Sequence, residues 1–280
     1  MKIRNTLELI KFSHSIFALP FALAAMVVAT PGFPGWRLFG LILLAMVSAR
    51  SGAMAFNRLV DADMDAKNPR TFNRHIPKGI LSKNFVCFFT ILSLLVFFGT
   101  CYVINSLAFK LSPIALLIIL GYSYSKRFTW FSHFWLGVSL GIAPMAVCVA
   151  VQETIIISAL WLCLGVVFWT AGLDILYSTQ DYAFDREHGI QSIPARFGIF
   201  TAIWISRACH SLSWFLLIQF GNTSHLFPYY WGILLFVAAA LIWEHRLVNP
   251  NDFSKINAAF FNANGVISVG FLVGIVLIYL

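Results

Sequence analysis

Nine apolar runs, most of them about twenty residues long and so able to cross a ~30 Å hydrocarbon core, are separated by short patches that carry nearly every charge in the chain. The expected helices are Glu8–Ala29, Trp36–Val60, Asn84–Leu107, Ser112–Tyr124, Ser132–Val151, Ile155–Gln180, Phe200–Phe220, Leu226–Trp243 and Asn257–Leu280. Of 280 residues, 60% are apolar and 11% charged. A water-soluble domain carries about 25% charged residues, so an all-α protein that spans the bilayer many times is expected. No low-complexity linker divides residues 1–280, which read as a single transmembrane domain.

The net charge of +8 does not point to nucleic acid, because the basic residues lie in the loops between runs. With the N-terminus inside, fifteen Lys and Arg fall on the inner side, against Arg37 and Lys110 outside and Arg50 and Arg207 within runs. That asymmetry follows the positive-inside pattern and predicts an inner-membrane protein of the bacterial type. Met1-Lys2-Ile3-Arg4 before an apolar stretch superficially resembles a signal peptide. Lys11 beside that stretch and the later spans favour a retained first helix. The five cysteines are odd in number and scattered, without a CxxC, and the seven histidines show no HxxxH or HxxH pairing. Neither a disulfide framework nor a zinc site is expected.

Eleven acids remain. Glu8, Glu153, Glu244 and Asp252 stand alone near helix ends, where solvation is the ordinary explanation. The other seven form two clusters, Asp61, Asp63 and Asp65 after the second run and Asp174, Asp181, Asp185 and Glu187 at the end of the sixth. Asn57, Asp61 and Asp65 are spaced i, i+4, i+8 and share one face if the helix continues that far. Tyr177, Asp181 and Asp185 repeat the spacing, with Asp174 near the same face. A basic loop containing Ile-Pro follows each cluster: Arg70, Arg74 and Ile76-Pro77, then Arg186, Ile193-Pro194 and Arg196.

Like charges at i, i+4 destabilise a helix by a few tenths of a kcal/mol, and an Asp such as Asp174 inside a span costs about 2.5–3.5 kcal/mol near the bilayer centre. A hard divalent cation offsets that repulsion. Oxygen-only ligands without nearby Cys or His suit Mg²⁺ completed by substrate phosphates, and the adjacent arginines suit phosphate oxygens. Both clusters are therefore expected in one cytoplasmic mouth that binds Mg²⁺-diphosphate. A multi-pass cation transporter is the alternative, since intramembrane acids commonly mark ion paths; both clusters lying at one face, with no comparable acid opposite, weighs against it.

The stretch Asn57-Arg58-Leu59-Val60-Asp61-Ala62-Asp63-Met64-Asp65, with Pro69-Arg70-Thr71 and Arg74, resembles the first aspartate motif of the UbiA-type intramembrane aromatic prenyltransferases. Tyr177 to Asp185 and Gly189 to Gly198 resemble the second. Tyr122-Ser123-Tyr124-Ser125-Lys126-Arg127 is similar to the family's YxxxK segment, and Phe260-Phe261-Asn262 with Asn264-Gly265 to the start of its last helix. The resemblance implies nine transmembrane helices around a central cavity with a cytoplasmic polar cap. It implies transfer of a polyprenyl group from polyprenyl diphosphate to an aromatic carboxylic acid, as in ubiquinone or menaquinone biosynthesis, in the lipid bilayer.

By that resemblance Asn57, Asp61, Asp65, Asp181 and Asp185 would hold Mg²⁺ on the diphosphate, and Tyr122, Lys126, Arg127, Arg70 and Arg74 would bind the diphosphate itself. Asp174 or Asp181 would take the proton lost by the acceptor, and Lys11 would anchor the acceptor's carboxylate. Two positions depart from the 4-hydroxybenzoate pattern: Arg58 stands where Asp is common after the first Asn, and Ser123 replaces the YPxxK proline. Asn68-Pro69-Arg70-Thr71 and Ser178-Thr179-Gln180-Asp181 look closer to a branch associated with menaquinone made by the futalosine route. The acceptor is thus 4-hydroxybenzoate or a naphthoate-type acid.

Overall fold

The structure, a computed structural model, describes residues 2–11, 17–30, 32–249, 252 and 255–280. The described residues form helices and turns, with no strand among them. The helices are α1 (Lys2–Leu9), α2 (Leu19–Ala29), α3 (Trp36–Lys67), α4 (Lys83–Ile104), α5 (Ser106–Ser125), α6 (Ser132–Gln152), α7 (Ile157–Ser178), α8 (Tyr182–Glu187), α9 (Ile193–Phe197), α10 (Ile199–Thr223), α11 (Tyr230–Leu247), α12 (Ile256–Ala258) and α13 (Asn264–Tyr279). A 3₁₀ turn, Thr179–Asp181, joins α7 to α8, and a π-turn, Ala259–Ala263, joins α12 to α13.

Every apolar run carries a helix, and seven helices among the described residues are long and apolar enough to cross a membrane. The other two runs differ from expectation for local reasons. The first, Glu8–Ala29, is not one helix across its described parts. Helix α1 ends at Leu9, Lys11 takes a left-handed backbone with φ 48°, and residues 12–16 lie outside the described residues. Helix α2 then starts with Pro20 in its first turn, where a missing N–H costs nothing. The run at Phe200–Phe220 forms the 25-residue α10, but Arg207, His210, Ser206, Ser211 and Ser213 dilute its apolar character. Helix α5 begins six residues earlier than expected. Its interior Pro113 has no N–H for the Phe109 carbonyl, and the Ser112 hydroxyl donates to that oxygen instead at 2.7 Å, so the helix passes through the proline.

The chain divides into two compact units, residues 1–15 with 35–124 and residues 16–34 with 125–280. In the first, Gly52 of α3 sits against Leu94 and Ser93 of α4. Beside the end of α3, Leu9, Ile10, Ala55, Ala62, Ile76, Leu81 and Val86 form a buried cluster. Ser82 caps α4 by accepting the Phe85 amide at 3.2 Å.

In the second unit α7 is the most enclosed span, because small residues let two neighbours approach its backbone. Gly137 and Gly141 of α6, four apart, lie against the Val167 backbone, the close approach that small-xxx-small spacing permits. On another side, the Ser206 and Ser213 hydroxyls of α10 donate to the Gly172 and Gly165 carbonyls at 2.8 and 2.7 Å. Around Trp169 of α7, Phe21, Phe220, Tyr230 and Phe271 pack as a shared aromatic core.

Glu244 corrects the expectation that it is solvated. It is fully buried on α11; its Oε1 accepts from Asn264 Nδ2 at 2.9 Å, and its Oε2 lies 3.8 Å from His210 Nδ1. His210 Nε2 meets the Trp169 carbonyl at 3.2 Å and its Nδ1 meets His245 Nε2 at 2.9 Å. Asn264 at the start of α13 thereby has a packing role.

A Cβ at position 141 would press on the Cys163 carbonyl and Val167. Gly141→Ala is expected to destabilise the protein by about 1–3 kcal/mol, seen as a lower apparent melting temperature in detergent; an unchanged melting temperature would show that α6 and α7 are not in close contact.

Candidate active site

In the first unit, helix α3 continues to Lys67, so the condition on the first acidic row is met. Asp61 and Asp65 are buried and Asn57 is half-buried on one face, while Asp63 points outward, its side chain 92% exposed and paired with Lys83 at 3.2 Å. Asn57 Nδ2 donates to Asp61 Oδ2 at 3.0 Å, which commits the amide's donor end to the row and turns its oxygen to acceptor work. Two residues keep the row from ending in a frayed terminus. The Asn68 amide bonds the Met64 carbonyl and its side chain accepts the Arg70 amide at 2.8 Å, while the Thr71 hydroxyl donates to the Asp65 carbonyl at 3.2 Å.

That turn folds the basic loop back on α3. Arg74 Nη1 reaches both oxygens of Asp65 at 2.7 Å, so these two residues, expected to serve the diphosphate and the metal separately, are partners in this structure. Arg58 is buried and donates from Nε to the Leu9 carbonyl at 3.4 Å. Lys11 is exposed beside this group. Arg70 is exposed on the same loop. Tyr122 is half-buried near the end of α5, two residues before Tyr124, whose ring packs edge-on against Phe56.

In the second unit the i, i+4, i+8 spacing of Tyr177, Asp181 and Asp185 does not lie on one continuous α-helix. A 3₁₀ turn at Thr179–Asp181 separates Tyr177 from Asp185. The cause is local, since the side chains of Ser178, Thr179 and Gln180 donate to the carbonyls of Ile175, Leu176 and Tyr177, competing with the α-helical ladder. Asp181 ends half-buried and Asp185 buried. The Tyr177 ring packs on Phe260 with centroids 4.2 Å apart, and Phe260 packs on Phe17 and Phe261. Lys126 and Arg127 open this unit in the turn after α5, half-buried and exposed respectively; the Lys126 carbonyl accepts the Gln191 amide at 2.8 Å.

Asp174, on α7, has a partner that sequence spacing did not reveal. His133 Nδ1 lies 2.7 Å from Asp174 Oδ2, with the two side chains 4% and 20% exposed. The only sequence signal was a histidine opening an apolar run after an aromatic segment.

The donor chemistry fits a hard cation. Both rows offer oxygen only, and among the described residues no three His, Cys, Asp or Glu side chains converge into a complete metal cage. A Mg²⁺ ion held by one or two carboxylates and completed by phosphate oxygens matches such a set.

These sites lie within a chain that matches the UbiA prenyltransferase family over residues 18–266. The chain belongs to that family and is a prenyltransferase, an enzyme of the membrane. It is 29% identical to a 4-hydroxybenzoate octaprenyltransferase of Aliivibrio fischeri (strain MJ11) over 86% of this chain and 84% of that one. It is 28% identical to the enzyme of the same name from Janthinobacterium sp. (strain Marseille), covering 91% and 89%. The apo structure of a UbiA homolog from Aeropyrum pernix K1 superposes with a TM-score of 0.85 at 28% identity, covering 94% of this chain and 97% of that one. A UbiA homolog from Archaeoglobus fulgidus bound to GPP and Mg²⁺ shares the fold at a TM-score of 0.74 and 19% identity, covering 98% and 99%.

The geometry separates the three acids of the first row. Asp63→Asn is expected to leave prenyl transfer within about twofold of the parent, as an exposed rim charge should. Asp61→Asn should lower it on the order of a hundredfold. Equal losses in the two variants, measured in one assay, would remove the distinction between the faces.

Proposed function

We propose that the protein catalyses Mg²⁺-dependent transfer of a polyprenyl group from polyprenyl diphosphate to an aromatic carboxylic acid, 4-hydroxybenzoate or a naphthoate-type acid, in quinone biosynthesis. The observation that carries the reading is the row of half-buried Asn57 with buried Asp61 and Asp65 on one unbroken helix in a chain of this family. The nine apolar runs act as a nine-span bundle with the basic loops and both acidic motifs in a polar cap on the cytoplasmic side of a bacterial inner membrane, a reading supported by the charge asymmetry.

In this reading Asn57, Asp61, Asp65, Asp181 and Asp185 are the Mg²⁺ ligands. When bound, Mg²⁺ supplies positive charge to the leaving diphosphate. Arg70, Arg74, Tyr122, Lys126 and Arg127 hold the diphosphate oxygens by charge-assisted hydrogen bonds. Arg74 would then exchange one oxygen of Asp65 for phosphate. The allylic C–O bond breaks with both electrons leaving on the diphosphate, and the aromatic ring of the acceptor closes the new C–C bond on the allylic cation. The rings of Tyr177, Phe260 and Phe17 offer π faces to that cation. The ring proton passes to a carboxylate, Asp174 or Asp181. Lys11 pairs with the acceptor's carboxylate.

Purified protein in lipid discs, given polyprenyl diphosphate, Mg²⁺ and either acid, should release diphosphate and form a prenylated product whose mass identifies the acceptor. Chelating Mg²⁺ should abolish turnover, and Asp181→Ala should lower it on the order of a hundredfold. Full turnover in chelator, or Mg²⁺ flux across proteoliposomes without donor, would contradict the reading.

A further inference from the structure

The loop that follows the second acidic row is held at four successive residues. The Ile190 amide donates to the Asp185 carbonyl and the Gln191 amide to the Lys126 carbonyl, both at 2.8 Å. The Ser192 hydroxyl donates to Asp185 Oδ2 at 2.8 Å and accepts the Ala195 amide at 3.3 Å. The Ile193 amide donates to His133 Nε2 at 3.2 Å. Two of these acceptors are backbone carbonyls. Ser192, His133 and the Asp185 carboxylate contribute side chains, and of these Ser192 and His133 can be removed without touching the proposed ligand itself.

The Ile193 bond answers a specific need. Ile193 opens α9, and the first amides of a helix have no partner within it. Ile193 is fully buried and Pro194 has no amide of its own, so its N–H must find an acceptor nearby or remain unpaired at a cost of about 1–3 kcal/mol. An amide can only donate, so His133 Nε2 is the unprotonated nitrogen. The ring proton therefore sits on Nδ1 and points at Asp174 Oδ2, 2.7 Å away. This arrangement does not relay a proton from Asp174, because the far nitrogen faces a donor. What it does is tie α6, α7 and the start of α9 through one imidazole.

We propose that His133 is the positioning residue of the second acidic row: by donating to Asp174 and accepting from Ile193 it fixes the 190–193 loop, and through Ser192 it holds the carboxylate of Asp185 in one orientation. The proposal rests on the reading of Asp185 as a Mg²⁺-diphosphate ligand. With Oδ2 pinned by the Ser192 hydroxyl, Oδ1 is the oxygen presented to the cation. Without His133 the loop is released at its α9 end and Asp185 loses its hydroxyl partner, although both residues remain in the chain.

The test uses the full-length enzyme in detergent or lipid discs. In the Mg²⁺-free protein, hydrogen exchange of the 190–197 segment should quicken about tenfold in His133→Ala, with other segments unchanged. His133→Gln, whose side-chain oxygen reaches the former Nε2 position, should restore protection; His133→Asn, which reaches only the Nδ1 position, should not. In the wild type, ¹⁵N resonances of His133 should report the neutral Nδ1–H tautomer, a readout that survives if the alanine variant fails to fold. In turnover, His133→Ala and Ser192→Ala should each raise the half-saturating Mg²⁺ about fivefold or more, with smaller changes in kcat at saturating Mg²⁺. Combining them should add little.

Wild-type exchange in His133→Ala, or a Nε2–H tautomer, would overturn the proposal. So would half-saturating Mg²⁺ that responds to Asp185→Asn but to neither His133→Ala nor Ser192→Ala. If Asp185→Asn itself leaves the Mg²⁺ dependence unchanged, the assignment of Asp185 as a ligand fails, whereas exchange in the metal-free protein still decides whether His133 holds the loop.

Discussion

Carboxylates at the edge of a low-dielectric slab are costly unless something of opposite charge or a set of donors meets them, and the architecture around both acidic rows answers that cost. On α3, Asp61 accepts from Asn57 and Asp65 is met by Arg74. On the second row, Asp174 accepts from His133 and Asp185 from Ser192. Asp174 and Asp185 are met on one oxygen each, and Asp65 by one nitrogen shared between two. Such acids are stabilised enough to fold and remain able to take a cation with phosphate oxygens.

Much of the helical framework was legible because lipid leaves a chain so few options. Backbone polar groups in hydrocarbon must be satisfied within the segment, so an apolar run of sufficient length reads as a helix, and each of the nine runs carries one. The departures come from side chains that act on the backbone locally. Pro20 starts α2 and Lys11 turns the chain after α1. Ser112 carries α5 through Pro113 and lengthens it. Ser178, Thr179 and Gln180 convert the end of α7 into a 3₁₀ turn. Spacing alone treats these residues as neutral, and their hydroxyls and amides are not.

The site was legible where it depends on helical period and obscure where it depends on tertiary contact. The i, i+4, i+8 spacing of Asn57, Asp61 and Asp65 correctly separated them from Asp63. Arg74 meets Asp65 nine residues away through a turn built by Asn68 and Thr71, which helical period does not encode. His133 lies 41 residues from Asp174, and Glu244, expected to be a solvated helix end, is met in the core by Asn264, twenty residues away. A lone histidine or glutamate in an apolar sequence carries no periodicity that would announce its partner.

The central claim, that these carboxylates bind a divalent cation through its diphosphate ligand, is most directly tested by Mn²⁺ electron paramagnetic resonance on the intact enzyme with a non-reactive prenyl thiodiphosphate. The account predicts tight Mn²⁺ binding only with the analogue present, a ³¹P hyperfine coupling from phosphate in the metal's coordination sphere, and loss of that signal in Asp61→Asn and in Asp181→Asn. Mn²⁺ bound without ³¹P coupling, or the same coupled signal in both variants, would contradict it.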